Sequence, residues 1–100
     1  MDIREQVRRE VEDSLRRQGG PTDRFYVDMV FRWIADGLIS AQGRFLVTKI
    51  EKVRLTYRNH RDLAFSCRCA ATLFPSEREA ALEYNWIFNG KTYRGFFAEA

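Results

Sequence analysis

The chain has no apolar run near the ~18–20 residues that a membrane-spanning helix requires. Its first residues, Met1-Asp2-Ile3-Arg4-Glu5, are largely charged and lack the apolar segment of a secretory signal. A soluble protein with a cytoplasmic location and no membrane partner is the expectation. Cysteine and histidine are also scarce, at two and one. Cys67 and Cys69 stand two apart, and on an extended strand their backbone sites lie roughly 6.6–7 Å from each other. That is at or past the upper limit for a disulfide. Cys-Arg-Cys also lacks the spacing of a zinc or redox motif, so both read as small buried thiols. His60, the only histidine, falls in an expected turn beside Asn59 and Arg61, where no nucleophile arrangement can be built around it. No phosphate-binding loop, internal repeat or low-complexity tract is visible. The sequence therefore offers no catalytic residue, metal or cofactor, and it leans away from an enzyme.

What is present is ordinary in amount and uneven in placement. One hundred residues make one domain, 1–100, with room for one small core. A composition of 45% hydrophobic and 31% charged excludes disorder. The net charge of +3 is concentrated. Residues 44–61 hold Arg44, Lys49, Lys52, Arg54, Arg58 and Arg61 against Glu51 alone, while the rest of the chain is close to neutral or slightly acidic.

The hydrophobic spacing predicts a surface helix over 2–18. Ile3, Val7, Val11 and Leu15 recur every four residues as a narrow stripe, fit to dock on a core or to meet a partner. Gly19-Gly20-Pro21 stops it. A second helix is expected over 23–39, with Thr22 as its N-cap and Gly37 or Gly43 at its end. It is apolar nearly all round, apart from a row of Asp28, Arg32 and Asp36, and so reads as the core helix.

Strands follow at 44–58, 63–74, 81–88 and 91–98. Asn89-Gly90 suggests a two-residue type I′ turn, which would set Phe88 opposite Lys91, Trp86 opposite Tyr93, Tyr84 opposite Gly95 and Leu82 opposite Phe97. Between the second and third strands, a short polar turn would pair Leu73 with Leu82, Ala71 with Tyr84 and Cys69 with Trp86. Between the first two, Tyr57, Leu55 and Val53 would face Leu63, Phe65 and Cys67. The fold class is α+β: two N-terminal helices, then a four-stranded antiparallel β-meander packed over the second helix in two layers. In element order alone, residues 23–97 resemble the hotdog and the cystatin-like architectures, the latter including nuclear-transport-factor-2-like domains. A hotdog domain would normally carry a strand where this chain has its first helix. A nuclear-transport-factor-2-like domain would carry another helix and more strand pairing before the meander. The resemblance carries over no site residue.

Three surfaces are candidate sites. If the first strand alternates regularly, Lys49 and Glu51 point inward, toward Cys69, Tyr84, Trp86 and Tyr93, as a ligand pocket for a small apolar molecule. A β-bulge near 48–52 would instead return Leu46 and Ile50 to the core, and the cost of burying two charges favours that arrangement. Arg44, Lys52, Arg54, Arg58 and Arg68 form a basic outer stripe that could bind an anion or an acidic partner. It reads first as charge protecting an edge strand, and nucleic acid is disfavoured because the face lacks aromatic platforms. Phe74, Ile87 and Phe96 are apolar on the outer face and could form an interface if they cluster with Leu46. The leading expectation is a small non-enzymatic binding protein that contacts another protein or a second copy of itself. A ligand-binding or catalytic pocket is the alternative, and nucleic-acid binding by the basic strand is a weaker one.

Overall fold

Capping chemistry sets both helices. A computed structural model of the protein describes residues 2–40 and 43–100. In α1 (Ile3–Arg17) the Asp2 carboxylate accepts the N–H of Arg4 at 3.0 Å. At the other end the N–H of Gly20 donates to the carbonyl of Leu15 at 2.8 Å, with Gly19 in the left-handed region at φ +75°. That is the glycine-terminated end expected of a helix followed by Gly-Gly-Pro. The thin stripe proves sufficient for docking, because Val7, Val11 and Leu15 are fully buried.

In α2 (Arg24–Ile39) the cap is Asp23 rather than Thr22, its carboxylate accepting the N–H of Tyr26 at 3.0 Å. Gly37 does not end this helix. It lies inside the last turns, and Ser40 is the C-terminal cap. The two helices are joined by an ion pair from Arg8 to Asp28 and by the Arg8 guanidinium lying over the Phe31 ring at 5.6 Å.

The strands β1 (Phe45–Asn59), β2 (Asp62–Leu73), β3 (Arg78–Phe88) and β4 (Tyr93–Glu99) form one antiparallel sheet in chain order. Both helices cover the same face, α1 against β1 and α2 against β1, β3 and β4. The fold is thus α+β with a sheet packed on one side, and no described helix is long and apolar enough to cross a membrane.

Two registers differ from the sequence reading, each by an even number of residues. β3 begins at Arg78, so the turn closes between Leu73 and Arg78 and pairs Cys67 with Tyr84, Cys69 with Leu82 and Phe65 with Trp86. The last hairpin pairs Phe88 with Tyr93, Trp86 with Gly95, Tyr84 with Phe97 and Leu82 with Glu99. Its loop is wider than a type I′ turn because Asn89 does not adopt positive φ; only Gly90 does, at +90°. The Asn89 side chain instead accepts the N–H groups of Lys91 and Thr92 at 3.0 and 2.9 Å, closing a local side-chain turn. Faces repeat every two residues, so even shifts leave every side chain on its expected side.

β1 is irregular. Thr48 is extra between the pairs Val47–Ala71 and Lys49–Ala70, and Lys52-Val53 together span the single Cys67 between the pairs Glu51–Arg68 and Arg54–Ser66. Lys52 has φ +55°, a conformation uncommon for a residue with a Cβ. The pairing of Tyr57 with Leu63 and Leu55 with Phe65 stands, and that of Val53 with Cys67 gives way to the bulge. Ile50 enters the core at 2% exposure between the two irregularities, whereas the one at Thr48 leaves Leu46 turned out at 56%.

Tyr84, Trp86 and Phe65 fill the centre and are fully buried. The Tyr84 ring lies between α2 and β4 where neither offers a side chain. A Cβ at Gly37 or Gly95 would overlap the Tyr84 hydroxyl, which donates to the Ile34 carbonyl at 3.4 Å. The rings of Phe45 and Phe97 come within 4.6 Å, although β1 and β4 are the two outer strands. The sheet therefore curls its helix-bearing face inward.

Candidate functional site

The two bulges decide where the expected pocket residues go. Between them, Lys49 and Glu51 alternate outward around the buried Ile50 and are exposed. Cys69, Tyr84 and Trp86 are buried on the opposite side of the sheet. Tyr93 is on that inner side but at its rim, stacked on Trp33 with ring centres 4.6 Å apart. These six residues do not converge on one space. Lys49 and Glu51 instead border a shallow outer depression of about 380 Å³ over Ala70 and Ala81, with Arg68 and Glu79 beside them.

The core thiols are free, with sulfurs 3.7 Å apart. Their shared hydrogen bond is the main influence on both: it pushes Cys67 up and Cys69 down, two sides of one shared proton, while burial opposes ionisation of each. Burial also pushes the Tyr84 phenol up. Burial thus disfavours charge on Cys67 and Tyr84 alike. Among the described residues no group of three or more His, Cys, Asp and Glu side chains is placed to hold a metal.

The basic stripe is divided by its neighbours. Arg68 sits between Glu51 on β1 and Glu83 on β3, not opposite Lys52. Arg58 pairs with Asp62 at 3.6 Å. Arg44 lies at the start of β1, on a cleft shared with the end of α2 and with residues 95–97 of β4. Arg54 borders a groove of about 230 Å³ that also includes Ile87 and Phe96.

The outer apolar residues fall into two groups. Ile87 and Phe96 share that groove and lie on adjacent strands, with Asn85 opposite Phe96 and Ile87 opposite Arg94. Leu46 faces Thr72, next to Phe74, whose N–H donates to the Arg44 carbonyl. On β2 the row of Leu46 passes through Thr72 and the row of Phe96 through Ser66. Six residues of strand at ~3.3 Å each separate them by roughly 20 Å. Ile87 and Phe96 form one site, and Leu46 and Phe74 lie apart from it.

Two features of the surface escaped the sequence reading. Gln18, the residue that caps α1, clamps the free edge of β1: its amide nitrogen donates to the Leu55 carbonyl at 2.8 Å, and its oxygen accepts the Tyr57 N–H at 2.9 Å. A glutamine at a helix end carries no sequence signal for this. The other is an aromatic seam on α2, where Phe25 is 79% exposed and Met29 and Trp33 continue the same side toward Tyr93. Its four-residue spacing is legible in the sequence, but the same residues also fit a helix buried on most sides.

Compared with known proteins, the chain matches no protein-family model, no curated sequence and no solved structure.

Proposed function

We propose that this protein works by binding protein through the open side of its sheet, self-association included. The observation that carries this reading is the unequal covering of the sheet. One face is packed by two helices around a filled centre, while the other bears Ile87, Phe96 and Arg94 in the open, the Arg94 guanidinium 5.1 Å from the Phe96 ring centre. Aromatic and arginine side chains in adjacent exposed positions are the residue types that dominate protein interfaces. Large residues in the core leave the interior to packing, so recognition is assigned to the surface.

Sedimentation velocity over a wide concentration range tests the self-association arm. The wild type is expected to associate, and Phe96→Glu to remain a folded monomer. A wild type that stays monomeric at its highest soluble concentration, with Phe96→Glu unchanged from it, defeats that arm.

A further inference from the structure

The hydrogen-bond phase of the last hairpin identifies which backbone groups of β4 are unused. The N–H of Asn89 donates to the Thr92 carbonyl and that of Ala100 to the Ala81 carbonyl, both between directly opposed residues. Bonded pairs alternate along an antiparallel ladder, so Arg94, Phe96 and Ala98 also spend their backbone groups on β3. Tyr93, Gly95, Phe97 and Glu99 therefore turn theirs away from the sheet. The register with β3 is uninterrupted, and the strand, Tyr-Arg-Gly-Phe-Phe-Ala-Glu, has no proline, lysine or bulge. Those are the usual devices that keep an edge from pairing. Beside it lies a cleft of about 530 Å³ between residues 95–97, the end of α2, and Arg44 and Phe45 at the start of β1.

We propose that β4 pairs antiparallel with β4 of a second copy, about a two-fold axis at Phe96, to make a continuous eight-stranded sheet. This rests on the protein-binding reading above and names its partner and its geometry. A two-fold perpendicular to the sheet keeps both outer faces on one side and aligns Tyr93–Glu99 over its whole length. Phe96 then meets Phe96 of the second copy on the outer face, each with its own Arg94 beside it. Gly95 meets Phe97, small against large, and Tyr93 meets Glu99. Arg94 falls opposite Ala98 of the second copy, whose other neighbour in its own sheet is Glu83. Ala98 is too short to separate them, so arginine and glutamate reach each other across it, twice per dimer. No like charges are opposed in this register. That self-complementarity is the reason for choosing a second copy over an unrelated strand. Because Gln18 clamps the far edge of the sheet at Leu55 and Tyr57, pairing through β4 closes at two copies.

The test combines concentration-dependent sedimentation with site-resolved amide exchange on the intact chain. In the associated state the amides of Tyr93, Gly95, Phe97 and Glu99 should slow, while those of Arg94, Phe96 and Ala98 are protected at every concentration. Phe96→Lys, which sets like charges across the axis, should weaken association by about tenfold or more. Arg94→Glu should weaken it as well, and adding Glu83→Arg should restore it, with circular dichroism confirming that each variant folds. Leu46→Glu, exposed on the far strand, should leave association unchanged, and Ile87→Glu, one strand in from the edge, should weaken it less than Phe96→Lys does. A wild type that associates while the four outward amides stay fast, or whose association is abolished by Ile87→Glu, overturns the edge pairing and leaves the open face as the binding surface. A wild type monomeric at every concentration overturns edge pairing and self-association together.

Discussion

The two edges of the sheet are built on opposite plans. β1 is long, bulged at two places near its middle and dense in lysine and arginine, with α1 against it and Gln18 bonded to its outer backbone. β4 is short, unbroken in register and balanced in charge, with Arg94 and Glu99 alone, and the N–H and C=O groups of Tyr93, Gly95, Phe97 and Glu99 turn away from β3. An edge strand is a template for pairing unless something prevents it. In this molecule the prevention is concentrated on one side. The charge surplus of residues 44–61, which the sequence reads first as protection of an edge strand, does belong to the protected edge, and Arg58 there and Arg68 on β2 have acidic neighbours within the fold.

The sharpest way to break the comparison is at the residue that the β1 bulge turns inward. Ile50→Ala removes a fully packed side chain and should cost about 2–5 kcal/mol in denaturant unfolding. Leu46→Ala, four positions earlier and exposed, should stay within about 0.5 kcal/mol, as should Lys49→Ala and Glu51→Ala. A regular β1 would reverse this order, because Lys49 and Glu51 would then be the buried positions. Comparable losses for Ile50→Ala and Leu46→Ala would remove the bulge from the account.

The next effect is smaller and concerns the clamp. Gln18→Ala deletes one donor and one acceptor from the β1 edge, where Leu55 and Tyr57 can recover bonds from water. A net hydrogen bond is worth about 0.5–1.5 kcal/mol, so the loss should be about 1–3 kcal/mol. The more telling readout is association: with both edges open, the variant should form species larger than a dimer, visible by light scattering. A Gln18→Ala protein with wild-type assembly would show that the bulges and charges suffice to protect β1.

Periodicity made much of this legible and register made some of it illegible, for one physical reason. Side-chain direction along a strand depends on parity alone, so the pattern Leu63, Phe65, Cys67, Cys69, Ala71, Leu73 placed the core face of β2 correctly. Turn geometry depends on particular backbone angles, and Asn89 used its side chain to close a wider loop than Asn-Gly suggests. The resulting shift moved Tyr93 from beside Trp86 to a position opposite Phe88, where it stacks on Trp33. The sequence also showed that Lys49 and Glu51 break the alternation of β1, and the cost of burying charge gave the correct direction for the bulge. It could not show the further irregularity at Thr48, so a single bulge places Leu46 inside, where the structure turns it out. The β4 edge is an absence of protective residues, and it acquires meaning only when hydrogen-bond phase is known.

The smallest effect at neutral pH sits at the far end of β1, where the turn to β2 is tied to α2. The Tyr26 hydroxyl donates to the His60 carbonyl at 3.1 Å, and the His60 ring meets Tyr57, whose hydroxyl lies 3.2 Å from Nδ1. Tyr26→Phe keeps the ring and loses that one bond, so it should cost about 0.5–1.5 kcal/mol near pH 7. Burial first, then the neighbouring Tyr57 and Asp23, push the Tyr26 phenol from 10.0 to about 12. The folded state thus holds its proton more tightly than the unfolded chain does. The stability linked to that proton is complete below pH 10 and is lost as pH rises toward 12. Unfolding curves from pH 8 to 12 should therefore decline more gently for Tyr26→Phe than for the wild type, with the two converging at the alkaline end. Parallel curves would mean that the phenol ionises alike in both states, leaving this end of the protected edge held by packing alone.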